Sequence, residues 1–116
     1  IHLQIKNNFS EDNKYLAVIT ENGLWIKDEI NDTTNIINPT KIDNHLLIDV
    51  TITQFDKNYN LIRNVAAEQI DIKEHEWKIN KAIVSEVGFE EETLSNIIFK
   101  SNFNLEKINS LFSNLA

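Results

Sequence analysis

Few of the 116 residues have the type and spacing that chemistry demands. Asp56-Lys57-Asn58-Tyr59-Asn60 matches the first half of a calcium loop, in which positions one, three and five offer oxygens to the ion. Position six is Leu61 in place of the glycine that makes the sharp turn, and position twelve is Ala67 in place of a bidentate Glu, so the run reads as a hairpin turn. His2, His45 and His75 stand far apart at strand ends or turns, without the paired spacing of a zinc site, and read as solvated loop residues. Glu90-Glu91-Glu92 and Asp28-Glu29 are candidates for general acid and base. Adjacent carboxylates in polar surroundings stay ionised, however, and nothing nearby suggests the desolvation that tunes a catalytic group. The absence of Cys excludes disulfides, thiolate metal sites, iron–sulfur clusters and cysteine nucleophiles, and neither a Gly-rich phosphate loop nor a nucleophile elbow is present. Catalysis, a metal and a cofactor are therefore not expected. Asn8-Phe9-Ser10 and Asn31-Asp32-Thr33 are formal glycosylation sequons, of a kind that a chain with 17 Asn produces by chance. Trp25 and Trp77 each open a strand, as large core residues or as ligand contacts.

The elements that would carry these residues are strands. Gly23–Lys27 suits a pleated surface, Asp28–Thr34 is a run of turn formers, and a second strand is expected over Asn35–Ile42, with Pro39 arguing for an edge or a bulge. The clearest alternation sets Leu46, Ile48, Val50 and Ile52 on one face and Leu47, Asp49, Thr51 and Thr53 on the other. After the Asp56–Asn60 turn, a strand from about Leu61 sets Ala66, Glu68, Ile70 and Ile72 against Ala67, Gln69 and Asp71. Lys73–Glu76 then closes a hairpin onto Trp77–Val84, and Thr93–Phe103 is a further candidate strand. Ile1–Lys6 alternates like a strand, whereas Ser10–Asn13 could cap a helical turn before a stretch, Tyr15–Ile19, whose Val and Ile favour a strand. Near the other end Asn104 can cap a short amphipathic helix over Leu105–Leu115, with Leu105, Ile108, Leu111, Phe112 and Leu115 on one side. The expectation is an all-β, mainly antiparallel meander with a short C-terminal helix.

Composition narrows the partners. Eighteen acidic against eleven basic residues give a net charge of −7 with Arg63 as the only Arg, which disfavours nucleic acid and anionic headgroups held by charge. The length fits one core, so residues 1–116 are read as a single domain. No stretch approaches the roughly 18 apolar residues of a membrane helix. The abrupt start without Met suggests a piece of a longer protein.

The succession Glu21-Asn22-Gly23-Leu24-Trp25-Ile26-Lys27-Asp28, Asn35-Ile36-Ile37, Ile52-Thr53-Gln54-Phe55-Asp56, Leu61-Ile62-Arg63-Asn64-Val65-Ala66-Ala67-Glu68 and Trp77-Lys78-Ile79 resembles the periplasmic domain of the lipopolysaccharide-export ABC transporter permeases, the LptF/LptG (YjgP/YjgQ) family. The Gly-x-Trp-x-Lys-Asp opening and the Leu-x-Arg-x-x-x-Ala strand are more similar to the LptG member, and Asn102–Ile108 resembles the family's return towards the membrane. The resemblance covers Tyr15–Val84, with Gly and Arg scarcer than in typical members.

What the resemblance implies is an open β-jellyroll inserted between membrane helices, on the periplasmic face of the bacterial inner membrane. It implies a partner permease, a separate cytoplasmic ATPase and edge-to-edge stacking with LptC-like jellyrolls. Lipopolysaccharide acyl chains would lie in an apolar trough built here from Leu24, Ile26, Leu46, Ile48, Val50, Ile52, Ile70, Ile72, Ile79 and Ile83. Two other readings stand beside it. One is a closed-core interaction module whose strand edges scaffold neighbours without binding lipid; the other is a carbohydrate-binding or hydrolytic sandwich, for which the ten aromatics are not clustered. A domain with one Arg is expected to hold lipid by its chains, with little sensitivity to salt.

Overall fold

The computed structural model describes residues 4–9, 14–21, 23–74, 76–101, 103, 106 and 107. Eight strands follow one another as an antiparallel meander: β1 (Gln4–Phe9), β2 (Lys14–Thr20), β3 (Gly23–Ile30), β4 (Thr33–Asp43), β5 (Leu46–Phe55), β6 (Leu61–Asp71), β7 (Glu76–Glu86) and β8 (Glu92–Lys100). They form one sheet in sequence order, so β1 and β8 are its edges. The fold is all-β, an open jellyroll-like sheet whose connections are hairpins. Glu106 and Lys107 are helical, and the rest of the expected Leu105–Leu115 helix lies outside the described residues, as do the Ser10–Asn13 cap, His2 and His75.

The turn chemistry is that of a Gly-poor chain. Asn31 and Asp32 take φ of 50° and 66°, so a two-residue loop joins β3 to β4 where a seven-residue turn was expected; both strands are correspondingly longer. At the Asp56–Asn60 turn the Asp56 carboxylate accepts from the backbone N–H of Asn58 (2.8 Å) and Asn60 (2.9 Å), while Tyr59 adopts φ 62°. Pro39 sits inside β4, not at an edge. The β3–β4 ladder ends at Ile26↔Ile37, and beyond it the Asn38 side-chain amide donates to the Leu24 carbonyl (2.9 Å), so proline's missing donor breaks no bond there.

Strict alternation fails along one line across the sheet. Asp49 in β5 and Asn96 in β8 take left-handed φ values of 49° and 54° inside their strands. On the strands between and beside them, two successive residues face outward: Thr40 and Lys41, Glu68 and Gln69, Asn80 and Lys81. The register pairs on either side place Asp49 opposite both Thr40 and Glu68, and Asn96 opposite Asn80. This crease exchanges the faces of every strand it crosses. It corrects the expected phase of β5 and β6: Leu47, Val50 and Ile52, with Val65, Ala67, Ile70 and Ile72, face the core, whereas Ala66 and Glu68 are exposed.

The sheet folds over its own apolar face. From beyond β8, Ser101 Oγ donates to the buried Asp28 Oδ2 of β3 (2.6 Å), and the Phe103 carbonyl accepts the Trp77 indole N–H (2.7 Å). Trp77 is a core residue, tilted 48° against Phe99 with 5.7 Å between ring centres, whereas Trp25 is exposed.

Candidate functional site

The register resolves the inner face into rows, because residues paired across antiparallel strands share a face. Ala17, Ile26, Ile37, Ile52, Val65 and Val84 form one row; Pro39, Val50, Ala67, Ala82 and Leu94 form the next. Beyond the crease lie Ile42, Leu47, Ile70, Ile79 and Ile97, then Trp77 with Phe99. Each row is apolar over the strands named, and the first ends in charged register partners, Lys6 on β1 and Glu92 on β8.

Of the ten residues expected to line a trough, Leu24, Ile26, Val50, Ile52, Ile70, Ile72 and Ile79 are brought together here and are buried. Three are not. Leu46 and Ile48 lie before the Asp49 crease, out of phase with the core and half-buried; Leu47 takes the inward position. Ile83 is 39% exposed, because Ala82 and Val84 hold the inner positions of β7 after its own change of phase. Ile83 contributes instead to a groove of ≈600 Å³ that follows the crease on the outer face, where Ile83, Ala66 and Ala67 stand beside Asp49, Thr51, Gln69, Asn80 and Lys81, so that its lining mixes apolar and polar surface.

The inner face opens to solvent at its β2–β4 side. A recess of ≈470 Å³ is lined by Ile19, Leu24, Pro39 and Ile42, with Gly23, Thr40, Lys41 and Asn44 at its rim. Gly23 is held at φ +104°, a backbone conformation that residues with a side chain rarely adopt, and Pro39 O lies 3.4 Å from the place a Cβ would occupy. Ile19, Pro39 and Ile42 were not among the expected site residues. Their strands were legible in sequence, but the side they face depends on pairing and on the crease.

A second feature escaped the sequence reading. One row at the far end of the inner face is polar throughout: Asp28, Asn35, Gln54, Arg63 and Glu86 are register partners on five successive strands. Arg63 donates through Nη1 to Gln54 Oε1 (2.6 Å) and through Nη2 to Glu86 Oε1 (3.1 Å). Asp28, Asn35 and Gln54 are buried, whereas Arg63 and Glu86 are each 38% exposed at the side chain. The signal available in sequence was the in-phase continuation of Val50-x-Ile52 to Gln54 and of Ala67-x-Val65 to Arg63.

Among the described residues no three His, Asp or Glu side chains converge as a metal site would require, and no helix is long and apolar enough to cross a membrane. Among the described residues the arrangement offers an apolar interior, a polar end row and two strand edges, β1 and β8, without a further strand beside them. No protein-family model matches the chain, no curated protein matches it, and no solved structure matches its fold.

Proposed function

We propose that this chain is a non-catalytic lipid-carrying domain of the lipopolysaccharide-export permease type, which receives acyl chains on the inner face of its sheet and passes them to neighbouring jellyrolls. The observation that carries the reading is the recess at Ile19, Leu24, Pro39 and Ile42, an opening to solvent with apolar walls and polar residues (Thr40, Lys41, Asn44) beside them, continuous in the sheet with the buried rows. Its ≈470 Å³ lies within the roughly 300–1,000 Å³ of small-molecule sites. The edges β1 and β8 suit addition of a strand from an LptC-like neighbour on either side. On this reading the domain works at the periplasmic face of the inner membrane, with a partner permease and a cytoplasmic ATPase acting through other parts of the assembly. The corrected trough consists of Leu24, Ile26, Val50, Ile52, Ile70, Ile72 and Ile79 with Ile19 and Ile42 at its mouth.

One observation favours the closed-core interaction module. The seven inner residues are almost fully buried, and Phe103 fills space among them, so chains would enter only as the two layers part. Photo-crosslinking separates the readings. Groups at the half-buried Ile19 or Ile42 should capture lipopolysaccharide in cells, and groups at Thr51 or Lys81 on the outer face should not. Equal capture from both faces, or none from either, would favour the scaffold.

A further inference from the structure

The polar row poses a physical problem that packing alone does not answer. Asn35 is 2% exposed, and its Oδ1 has no hydrogen-bond partner among the described residues. A buried amide oxygen left unpaired is costly, and Asn is a poor strand former at a position where Ile or Val would pack against the next row. Asn35 is flanked in register by Asp28 and Gln54, and one strand further lies Arg63. Formal charges of Asp28, Arg63 and Glu86 leave the row at −1, and the guanidinium is already engaged by Gln54 and Glu86. The row is therefore a poor cradle for phosphate. It offers an acceptor that lacks a donor, directly beside the apolar row of Ile26, Ile37 and Ile52.

We infer that this row is a head-group site for an acylated ligand that carries a neutral hydrogen-bond donor, a hydroxyl or an amide N–H, at the head of its chain, with Asn35 Oδ1 as the acceptor. The inference rests on the acyl-chain reading above and adds the chemistry of the head. A hydroxyl is already accepted in this row, since Ser101 Oγ donates to Asp28 Oδ2 at 2.6 Å. A ligand seated with its chain along the apolar rows would bring its own donor to Asn35 when the two layers part.

The test uses three soluble probes below their micelle concentrations. Dodecyl glucoside has a twelve-carbon chain and a head rich in donors; dodecyl dimethylamine oxide has the same chain and a head that only accepts; glucose has the donors without the chain. Binding is read by Trp fluorescence and calorimetry. The wild type should bind the glucoside about tenfold more tightly than the amine oxide, the size expected when a buried acceptor gains its partner, and should not bind glucose. Asn35→Leu should bind both chain-bearing probes with equal affinity while its unfolding midpoint stays at or above that of the wild type, because an unpaired polar atom has been removed. A preference that survives in Asn35→Leu, or glucose binding as tightly as the glucoside, overturns the inference. Equal binding of the two probes by the wild type overturns it and leaves the acyl-chain reading standing; binding of neither overturns both. Should Asn35→Leu fail to fold, the wild-type Asn35 side-chain amide resonances decide the matter: they move with the glucoside and not with the amine oxide, or the inference fails.

Discussion

Replacing Phe103 by Ala asks whether the segment after β8 belongs to the core or merely lies on it. Its ring is 1% exposed, its carbonyl accepts the Trp77 indole, and its N–H donates to Ser101 Oγ (3.0 Å), which in turn reaches Asp28. Phe103→Ala keeps both backbone bonds and empties the ring volume, so the cost is the lost transfer energy plus the cavity, about 3–5 kcal/mol. A domain of this size has a total stability of roughly 5–15 kcal/mol, so the variant should be marginal. With an unfolding entropy of about 2.1 cal/mol/K per residue, 116 residues give about 240 cal/mol/K, and the melting temperature should fall by about 12–20 °C. Phe103→Leu, which keeps most of the volume, should cost less than about 1.5 kcal/mol. Thermal melts by circular dichroism and urea melts by Trp fluorescence measure both. A fall of less than about 2 °C for Phe103→Ala would refute the placement of this segment in the core, and with it the idea that the inner face must part to admit a ligand.

Three further outcomes follow from particular positions. Asp49→Val should destabilise by about 1–2 kcal/mol in urea melts, because a β-branched residue is forced to φ 49°, whereas Thr51→Val, two residues on in an exposed extended position, should be neutral within about 0.5 kcal/mol. Asp56 is held below its ordinary value chiefly by the Asn60 backbone N–H, with the Asn58 N–H, the Asn60 side chain and the Lys57 charge assisting. A lowered folded-state value means that this contribution is complete above the unfolded carboxylate range and is lost as pH falls through the folded value, so Asp56→Asn should flatten the acid limb of the stability profile and carboxyl NMR should find Asp56 titrating below the ordinary aspartate value. Shortening a bound alkyl chain by two methylenes should weaken binding about fifteenfold, from about 0.8 kcal/mol per buried CH₂, and added salt should not weaken it, since the domain carries −7 and its single Arg is paired.

The strands of this protein were readable because β-branched residues alternate between Asn- and Asp-rich turns, and the Asn31–Asp32 and Asp56–Asn60 connections fall where those turn formers cluster. The faces were readable only up to the crease. Asp49 sits in the most regular alternation of the chain, and nothing local distinguishes a strand Asp that is extended from one that is left-handed; its φ is set by the strands on both sides, Thr40 opposite on β4 and Glu68 on β6. Leu46 and Ile48 were consequently assigned to the face that Leu47 occupies. Ile83 was misassigned for the same reason on β7. The polar row was illegible in a different way: Asp28, Asn35, Gln54, Arg63 and Glu86 span 58 positions, and only pairwise register brings them into line. The role of Phe103 depends on tertiary closure, which no spacing within β8 encodes.

An acyl-chain site on the inner face would be visible to methyl NMR on the 18 isoleucines during titration with dodecyl glucoside. Saturable shifts are expected at Ile19, Ile26, Ile42, Ile52 and Ile70, with Ile83 and Ile98 on exposed positions unmoved. Shifts confined to Ile83 and Ile98, or none at any isoleucine, would contradict it.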